Sequence, residues 1–487
     1  MPKNLTAGII QIQDLNMGGH SDSKWSGVKN SVWRMIGLNP HATPGIIDVA
    51  QALAKISSTT ITEFCRERVV STNGKIYWFS YTSGKIWQQN ADTDDTFELV
   101  FTTTPAAGAA GCSGAREYRG FIYWATQNRI HRIQATLANG ASAWTTNAVE
   151  DFATFANGDT EFHPMEEQNL VLYIGDANYI AQIDDGVFSN NALDIKSPLR
   201  VKSLGKVFTD LLIGTFVNDY VNKTTIYRWN TWSASFATAN EIDEVGVNAF
   251  MQGDNIVFVQ AGLSGNIYYY DPNTNTLESF KTIAGTYSPT KYGEIHPSSV
   301  ATLNKVVLFG FSNGSGNPAD QGVYAIGRHS RNYPYISDMP YPISERSGGA
   351  FVLSGIEIGG IAVRGFNLYV AWKNGSTYGV DKLDYSTKLD KAYIETRYMV
   401  SPNRQVLANF GSAVVAYAEM PTNCSVEIEL SKNYEAYAPQ TVIKDTDRLL
   451  VIAEKASLDA VVLQAKFVMR TSGNTAPRIE SAAINLR

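Results

Sequence analysis

The sequence predicts an all-β protein, a seven-bladed β-propeller followed by a C-terminal antiparallel β-sandwich. Three observations predict it: a composition that favours strands and turns, a hairpin signature that recurs along most of the chain, and alternation of apolar and polar residues near the end. Of the 487 residues, 44% are hydrophobic and 18% are charged, and the chain has 39 glycines and 25 tyrosines. Aromatic residues favour strands and glycine favours turns, so many short strands joined by tight turns are expected.

The recurring signature is clearest in RGFIYWATQNRIHRIQ, residues 119–134. Residues 172–183, LYIGDANYIAQI, align without a gap on residues 122–133, and the apolar positions of the two segments coincide. Looser copies occur before and after them. The first apolar anchors of the copies are Ile76, Ile122, Leu172, Leu212, Val257, Val307 and Leu368. The copies follow one another at intervals of roughly 50 residues, which is typical of propeller blades with four strands each.

A propeller also explains how such units become stable. A two-stranded hairpin is marginal in water, and a blade buries its apolar faces only when neighbouring blades cover them. Radial closure leaves only short, protected strand edges, which limits aggregation. A β-solenoid is the alternative architecture, but it would require shorter and stricter repeats than those of this chain.

The repeat divides the chain into three predicted ranges. Residues 1–60 precede it, and we expect part of this segment to complete the propeller, since a ring needs a closing strand. Residues 61–387 form the propeller. Residues 388–487 contain about five segments that alternate apolar and polar residues, as strands do when one face meets a core and the other meets water. These segments predict a separate, jelly-roll-like antiparallel sandwich.

Charge and cysteine usage restrict the partners. The net charge is -6, spread without long runs, which argues against sequence-specific recognition of nucleic acid and against binding to an anionic membrane. Cys65, Cys112 and Cys424 lie far apart, so we expect buried free thiols rather than disulfides or a zinc site. The first residues lack the pattern of a signal peptide, and no apolar stretch approaches about 18 residues, so membrane insertion is not expected.

No catalytic, cofactor-binding or metal-binding residue is predicted. The segment GFSNG, residues 310–314, matches the nucleophile-elbow pattern around Ser312, but a loop follows where the elbow requires a helix. His131 lies on a strand face and is expected to be a packed histidine. The segments at residues 90–96 and 271–276 space their side-chain oxygens as calcium loops do. Both lack the glycine and the glutamate of that motif, so Asx turns are expected.

Sugar chemistry is the most specific alternative for a propeller. A glycosidase needs two or more carboxylates that converge at the mouth of a channel. The acids scattered through the repeat include Glu161, Asp176, Asp184 and Asp185. Their spacing does not show convergence, and no enzyme is predicted. Exposed tryptophans can bind sugars by stacking, but Trp78, Trp124 and Trp372 occupy corresponding strand positions, which favours core packing.

Longer motifs carry a resemblance to a known family. They include TEFCRERVVSTNGKIYWFSYTSGKIW (residues 62–87), EYRGFIYWATQNRIHRI (117–133), LDIKSPLRVKSLGK (193–206) and NPADQGVYAIGRHSRNYP (317–334). With these motifs the chain resembles a family of tail-associated β-propeller proteins in the virions of tailed bacteriophages. The resemblance implies a non-enzymatic, structural role in the virion, after folding in the cytoplasm of the bacterial host.

The sequence therefore leaves three functions open. The first is a structural component of the tail, of the hub or nozzle type, which assembles as a homo-oligomer with other virion proteins. The second is an adhesin at the tail tip that binds a host-surface glycan or receptor, and the third is a propeller glycan hydrolase. Large apolar surfaces would indicate assembly, aromatic side chains exposed together would indicate adhesion, and paired acids in a pocket would indicate catalysis.

Overall fold

The computed structural model describes residues 9–12, 19–21, 23–26, 31–41, 46–57, 60–91, 94–158, 161–217, 223–253, 256–283, 293–313, 322–345, 356–400, 408–417, 420–444, 450–454 and 459–486. The segments 90–96, 310–314 and 317–334 singled out in the sequence reach beyond these ranges, since residues 92–93, 314 and 317–321 lie outside the described residues.

The described chain consists mainly of strands. The first 25 are β1 (Ile9–Ile12), β2 (Arg34–Ile36), β3 (Leu38–Asn39), β4 (Asp48–Val49), β5 (Gln51–Lys55), β6 (Cys65–Val70), β7 (Ile76–Ser80), β8 (Lys85–Asn90), β9 (Thr96–Thr102), β10 (Gly114–Tyr118), β11 (Phe121–Ala125), β12 (Arg129–Gln134), β13 (Val149–Thr154), β14 (Met165–Gln168), β15 (Val171–Asp176), β16 (Tyr179–Asp184), β17 (Val187–Asp194), β18 (Arg200–Val207), β19 (Asp210–Phe216), β20 (Thr224–Trp229), β21 (Thr238–Ile242), β22 (Val247–Gly253), β23 (Ile256–Ala261), β24 (Asn266–Asp271) and β25 (Thr276–Thr282). A 3-10 turn (Ala135–Leu137) and helix α1 (Ala141–Asn147) lie between β12 and β13.

The remaining strands complete the chain. They are β26 (Gly293–Leu303), β27 (Val306–Asn313), β28 (Gly322–Gly327), β29 (Ile336–Tyr341), β30 (Ile356–Arg364), β31 (Asn367–Asn374), β32 (Thr377–Lys388), β33 (Lys391–Glu395), β34 (Met399–Val400), β35 (Ala408–Tyr417), β36 (Ser425–Lys432), β37 (Ala438–Lys444), β38 (Leu450–Glu454), β39 (Asp459–Ala460), β40 (Val462–Arg470) and β41 (Ile479–Leu486). No helix in the described part of the chain is long and apolar enough to cross a membrane.

The chain divides into two compact units. The larger unit comprises Ala54–Gly322 and Val352–Lys382, and the smaller unit comprises Met1–Leu53, Val323–Phe351 and Leu383–Arg487. The smaller unit therefore joins segments that the sequence placed in three separate ranges. The predicted domain limits near residues 60 and 388 stay predictions.

The larger unit is built from four-stranded antiparallel sheets. Five of them contain consecutive strands, β6 to β9, β10 to β13, β14 to β17, β18 to β21 and β22 to β25, and a sixth has the order β30-β31-β32-β5. The first strands contact one another in the succession β6, β10, β14, β18, β22, β26 and β30, and β30 contacts β6. The first strands therefore form a closed ring, and the predicted all-β propeller architecture is confirmed.

The register of the hairpins explains the recurring signature. In β11 and β12, Ile122 lies opposite Ile133 and Trp124 lies opposite His131. In β15 and β16, Leu172 lies opposite Ile183 in the same way. Corresponding residues of two copies thus occupy corresponding positions in two sheets, because each side-chain position on a strand faces one neighbouring sheet only.

The core consists of layers between neighbouring sheets. All five residues of β7, IYWFS, are buried, whereas the outermost strand β9 is largely exposed. Tyr77 and Phe79 of β7 pack with Trp124 of the next sheet and with Trp144 of α1 in one hydrophobic cluster. Each buried aromatic ring removes roughly 150–250 Å² from water, so these layers dominate the stability of the propeller.

Glycine allows the first strands to approach closely. The Cβ of a residue larger than glycine at position 114 would lie 1.8 Å from the carbonyl oxygen of His163, in the next repeat. The backbone N–H of His163 donates to the carbonyl of Ser113 at 3.0 Å and holds the two segments at this distance. A similar approach occurs where the ring closes, since a Cβ at Gly359 would lie 2.1 Å from the carbonyl oxygen of Cys65.

The number of sheets differs from the prediction of seven blades. Among the described residues, six separate four-stranded sheets are present. In the repeat anchored at Val307, β26 and β27 form a hairpin in the larger unit, but β28 and β29 fall in the smaller unit apart from Gly322. There β29 pairs in parallel with β2, at Met339 opposite Ile36. A strand from outside the repeat thus takes part, which the spacing of the anchors cannot encode.

The smaller unit contains two groups of paired strands. In one, β41 pairs with β1 and β35, and β35 also pairs with β38 and β39. In the other, β33 pairs with β2 and β40, and β40 also pairs with β34 and β36, which pairs with β37. The N-terminal strands β1 and β2 thus pair with strands that follow residue 388. The predicted C-terminal sandwich is not established by these pairings alone.

Candidate functional site

A cavity of about 220 Å³ lies among the first strands of the larger unit, and we call it the axial channel. Residues on or next to six first strands, β6, β10, β14, β18, β22 and β26, form its wall. The first strand of each sheet is the innermost, so its side chains reach the channel. The channel is therefore the place where side chains from most of the repeats converge.

Irregular pairing places part of β26 in the channel. The register between β26 and β27 shifts between Ile295 and Val300, so residues 296–299 leave the regular ladder. A second shift, between Cys65 and Glu67, affects β6 at Arg66. Bulges re-aim the side chains that they contain. Here they bring β6 and β26 into direct contact although the two strands are far apart in the sequence.

Arg66 and His296 form the first link between these strands. The Nε of Arg66 donates to Nδ1 of His296 at 2.9 Å, so the ring proton of His296 lies on Nε2. The guanidinium carbon of Arg66 lies 4.4 Å from the ring centroid of Tyr81 and 5.3 Å from that of Phe162. Burial, together with the charges of Arg66 and Lys202, lowers the pKa of His296 well below its usual value. The histidine is therefore a neutral acceptor.

Glu67 and Arg68 extend the contact between β6 and β26. The hydroxyl of Ser298 donates to the carboxylate of Glu67. Burial raises the pKa of Glu67, and the bond from Ser298 and the nearby arginines oppose this effect only in part. Arg68 donates from Nε to the carbonyl of Ile361 on β30 at 2.6 Å, and from a terminal nitrogen to the carbonyl of Val300 on β26 at 3.0 Å. The Arg68 side chain thus bonds β6 both to β30 and to β26.

A second group of charges joins the next three first strands. Arg116 of β10 forms a bidentate pair with Glu166 of β14, with nitrogen–oxygen distances of 2.7 and 3.2 Å. Lys206 of β18 places its ammonium 3.6 Å from the same carboxylate. Paired geometry of this kind is the strongest form of the arginine–carboxylate contact. These bonds therefore link neighbouring sheets in addition to the apolar layers.

Lys202 and Glu294 form the third pair of the channel. The Lys202 ammonium lies 3.0 Å from the carboxylate of Glu294, and it lies 5.2 Å from the ring centroid of Phe162 and 5.9 Å from that of Phe216. Burial raises the pKa of Glu294, but the charges of Lys202 and Arg66 outweigh it, so its pKa lies below the usual value. The Glu294 side chain remains 37% exposed.

The acids that converge on the channel are not those noted in the sequence. Asp185 is exposed and pairs with Arg119 at a turn. Asp176 is buried and accepts hydrogen bonds from the backbone and side-chain nitrogens of Asn157, at 3.0 and 3.2 Å. The channel acids lie on first strands instead, in the segments CRERVV, MEEQ and GEIHPSS. The sequence could have indicated these acids, because charged residues inside strands near the centre of a ring are expected to face its channel.

His131 and the three repeat tryptophans have structural roles. His131 is fully buried and stacks on Trp124, with ring centroids 5.3 Å apart. Its Nδ1 accepts the backbone N–H of Asp151 at 3.0 Å, so Nε2 carries the proton and donates to Thr126 at 3.1 Å. The tryptophans Trp78, Trp124 and Trp372 are buried, and each indole N–H donates to a neighbouring side chain. The packing interpretation of these residues is confirmed.

The remaining motifs form local structure. Ser312 lies in β27, where its Oγ accepts the backbone N–H of Ile358 at 2.7 Å. Asp271 accepts the backbone N–H of Asn273 at 2.8 Å, and Asp94 accepts that of Thr96 at 3.2 Å, so both expected Asx turns are present. The three cysteines are buried free thiols. Within the described ranges, no three His, Cys, Asp or Glu side chains are grouped as a metal site.

No family model and no curated protein matches the chain. Similar solved structures include virginiamycin B lyase from Staphylococcus aureus, with 15% identity over 68% of this chain and 98% of that chain and a TM-score of 0.46. They also include the Dos1 propeller, with 13% identity over 69% and 94% of the two chains and a TM-score of 0.43.

A third similar structure is the extracellular domain of a hybrid two-component system from B. thetaiotaomicron. It shares 14% identity over 74% of this chain, with a TM-score of 0.43, and the match spans 43% of that protein's chain.

His131 predicts a pH dependence of stability. Burial is the main cause that lowers its pKa from 6.5 to about 4. Between these two values the unfolded chain binds more protons than the folded chain, so stability falls as the pH falls from 6.5 to 4. The expected loss from this residue is roughly 3 kcal/mol in the free energy of unfolding. Urea titrations across this pH range measure it.

The matched variants are His131→Phe and His329→Phe. The first keeps an aromatic ring beside Trp124 but cannot titrate, so its stability should depend less on pH between 6.5 and 4. It should be less stable than the wild type at neutral pH, because the N–H of Asp151 loses its acceptor. The second replaces an exposed histidine and should keep the wild-type slope. An unchanged slope in His131→Phe would show that this histidine is not buried and neutral.

Proposed function

We propose that the protein is a structural component of a tailed-phage virion, of the tail hub or nozzle type, that acts through assembly interfaces and without catalysis. The resemblance of its longer motifs to tail-associated virion proteins supports the virion as its location. The observation that carries an assembly role is an exposed apolar surface on one face of the propeller. We call this surface the turn patch and define it by Leu170, Phe208 and Trp232.

The turn patch is built from three neighbouring turns. Leu170 lies between β14 and β15, Phe208 lies between β18 and β19, and Trp232 follows β20. The side-chain amide of Asn169 donates to the carbonyl of Thr209 at 2.9 Å and to the hydroxyl of Thr231 at 2.8 Å. Each turn is thus held to the next, and the three apolar side chains project from a fixed frame.

The turn patch is unfavourable for the isolated chain in two ways: its apolar side chains are exposed, and two of its residues have strained backbones. Leu170, Phe208 and Trp232 are 67%, 62% and 81% exposed. Leu170 and Phe208 also have φ values of 62° and 50°, a left-handed conformation that costs residues with a Cβ about 1–2 kcal/mol. Exposed apolar patches in a rigid frame mark interaction sites. Contact with another subunit of the particle would bury the three side chains and recover the free energy lost by their exposure to water.

The charged links in the channel suit the same role. They bond one first strand to the next through Arg116 and Glu166, and they bond β6 to β26 and β30 through Arg68. A subunit that transmits load in a particle must keep its shape, and bonds between sheets oppose their separation. The main role of these charged groups is therefore to keep the propeller rigid.

We also propose that β26 to β29 form a seventh blade. In support, β26 contacts β22 and β30 as the other first strands contact their neighbours. The smaller unit is a sandwich of its two groups of strands. In support, Val415 and Ile479 are buried on one group, and Ile428 and Phe467 are buried on the other, as facing sheets require.

Charged substitutions in the turn patch test the assembly role. We expect the wild-type chain to form a multi-copy assembly, seen by native mass spectrometry and electron microscopy. Phe208→Asp combined with Trp232→Glu should shift it toward the monomer by at least about tenfold in dissociation constant, because burial of the two rings is lost. The control Leu99→Asp changes a partly exposed leucine on the outer strand β9 and should leave assembly intact. A wild-type chain that stays monomeric at micromolar concentration contradicts the assembly role.

One observation favours the second candidate, a glycan-binding adhesin. In the smaller unit, Trp25, Tyr398 and Tyr434 form an aromatic cluster with ring centroids 4.9, 5.9 and 5.3 Å apart. Trp25 is 49% exposed and Tyr434 is 58% exposed. The Lys24 ammonium lies 3.5 Å from the hydroxyl of Tyr398. Exposed aromatic faces beside polar groups are suited to stacking on sugar rings.

A glycan array of bacterial surface oligosaccharides tests this candidate. Binding by the wild type that falls at least about tenfold in Trp25→Ala, through loss of one stacking contact, would support an adhesin. The control is Tyr385→Ala, a comparably exposed aromatic residue of the same unit, and it should bind as the wild type does. Absence of binding by the wild type, or equal loss in both variants, removes the candidate.

A further inference from the structure

The charges around the axial channel do not balance. The cations that line it or bond to its lining are Arg66, Arg68, Arg116, Lys202 and Lys206. The carboxylates are Glu67, Glu166 and Glu294. A narrow channel with protein walls screens charge less than bulk solvent does, and walls of one sign concentrate ions of the opposite sign. The channel therefore favours anions.

The excess positive charge is concentrated at β6. Arg116 uses both terminal nitrogens on Glu166, and Lys202 is paired with Glu294. By contrast, the bonds of Arg66 and Arg68 go to neutral acceptors: a histidine ring and two backbone carbonyls. Glu67 lies between them in the chain, and it is the carboxylate whose pKa burial raises.

The size of the channel sets the class of ligand. A volume of about 220 Å³ has room for several water molecules, since a cavity that holds one water needs only about 10–15 Å³. A small anion with a few waters fits this space. Ser298 and Gln252 add polar groups to the wall, and an oxyanion with several acceptor oxygens can bond to cations on different strands at once.

We propose that the axial channel binds a small oxyanion of the phosphate class, between the arginines of β6 and Lys202 of β18. This site is independent of the turn patch, and it would hold an anion whether or not the protein assembles. The bound anion links β6 to β18 across the ring and adds to the direct bonds between first strands. Phosphate should therefore both bind and stabilise the propeller.

Two substitutions of opposite sign test the proposal in the full chain. The probe is inorganic phosphate, titrated by calorimetry at constant ionic strength set with sodium chloride. Lys202→Gln removes a cation and should weaken phosphate binding about tenfold. Glu294→Gln removes the neighbouring carboxylate with little change of shape and should tighten binding several-fold, because the anion no longer meets its negative charge.

The control is Lys223→Gln, which breaks a lysine–glutamate pair with Glu241 on the outer strands of the same unit. It should leave phosphate affinity unchanged. A merely structural effect would weaken binding in both channel variants, so a shift of both in one direction overturns the proposal. Phosphate that binds the wild type no better than chloride overturns it too. If Lys202→Gln does not fold, the direction of the Glu294→Gln shift decides alone.

Discussion

The closure of the ring of first strands is the constraint on which the rest of the structure depends. Most neighbouring first strands belong to consecutive repeats, but β6 and β30 come from distant parts of the chain, and β26 reaches β6 across the ring. Arg68 of β6 donates hydrogen bonds to the carbonyl of Ile361 on β30 and to the carbonyl of Val300 on β26. The close approach at Gly359 requires a residue without a side chain. Since each sheet is covered only by its neighbours, an open ring would expose two apolar faces.

The same closure explains why the centre of the propeller is polar. Apolar side chains fill the layers between sheets, where the aromatic residues of the second strands pack. At the axis, hydrogen bonds and ion pairs such as those of Arg116 and Ser298 join the first strands. A buried charge is costly unless it is bonded. The channel therefore combines links between sheets with an excess of positive charge.

The sequence predicted the parts of the fold that have a local pattern. The second and third strands of each unit repeat the same apolar positions, so their pairing and the burial of Trp124 followed directly. The charges that the first strands bring to the channel were not predicted, because segments such as CRERVV carry charges in place of an apolar pattern. The bond between Arg66 and His296 joins residues 230 positions apart, and no local signal predicts it. The pairing of β2 with β29 joins residues that are also far apart in the sequence, and it adds a strand from outside the repeats to the sheet that contains β26 to β29.

Hydrogen–deuterium exchange of an Arg68→Met variant tests the closure most directly. Methionine keeps much of the side-chain length but cannot donate to the two carbonyls. The account predicts that amide protection falls at least about tenfold in β6, β26 and β30, because the bonds that hold these strands are lost. Protection in β15 to β17, the outer strands of another sheet, should stay at the wild-type level. Unchanged protection in β6 and β30 would contradict the claim that Arg68 closes the ring.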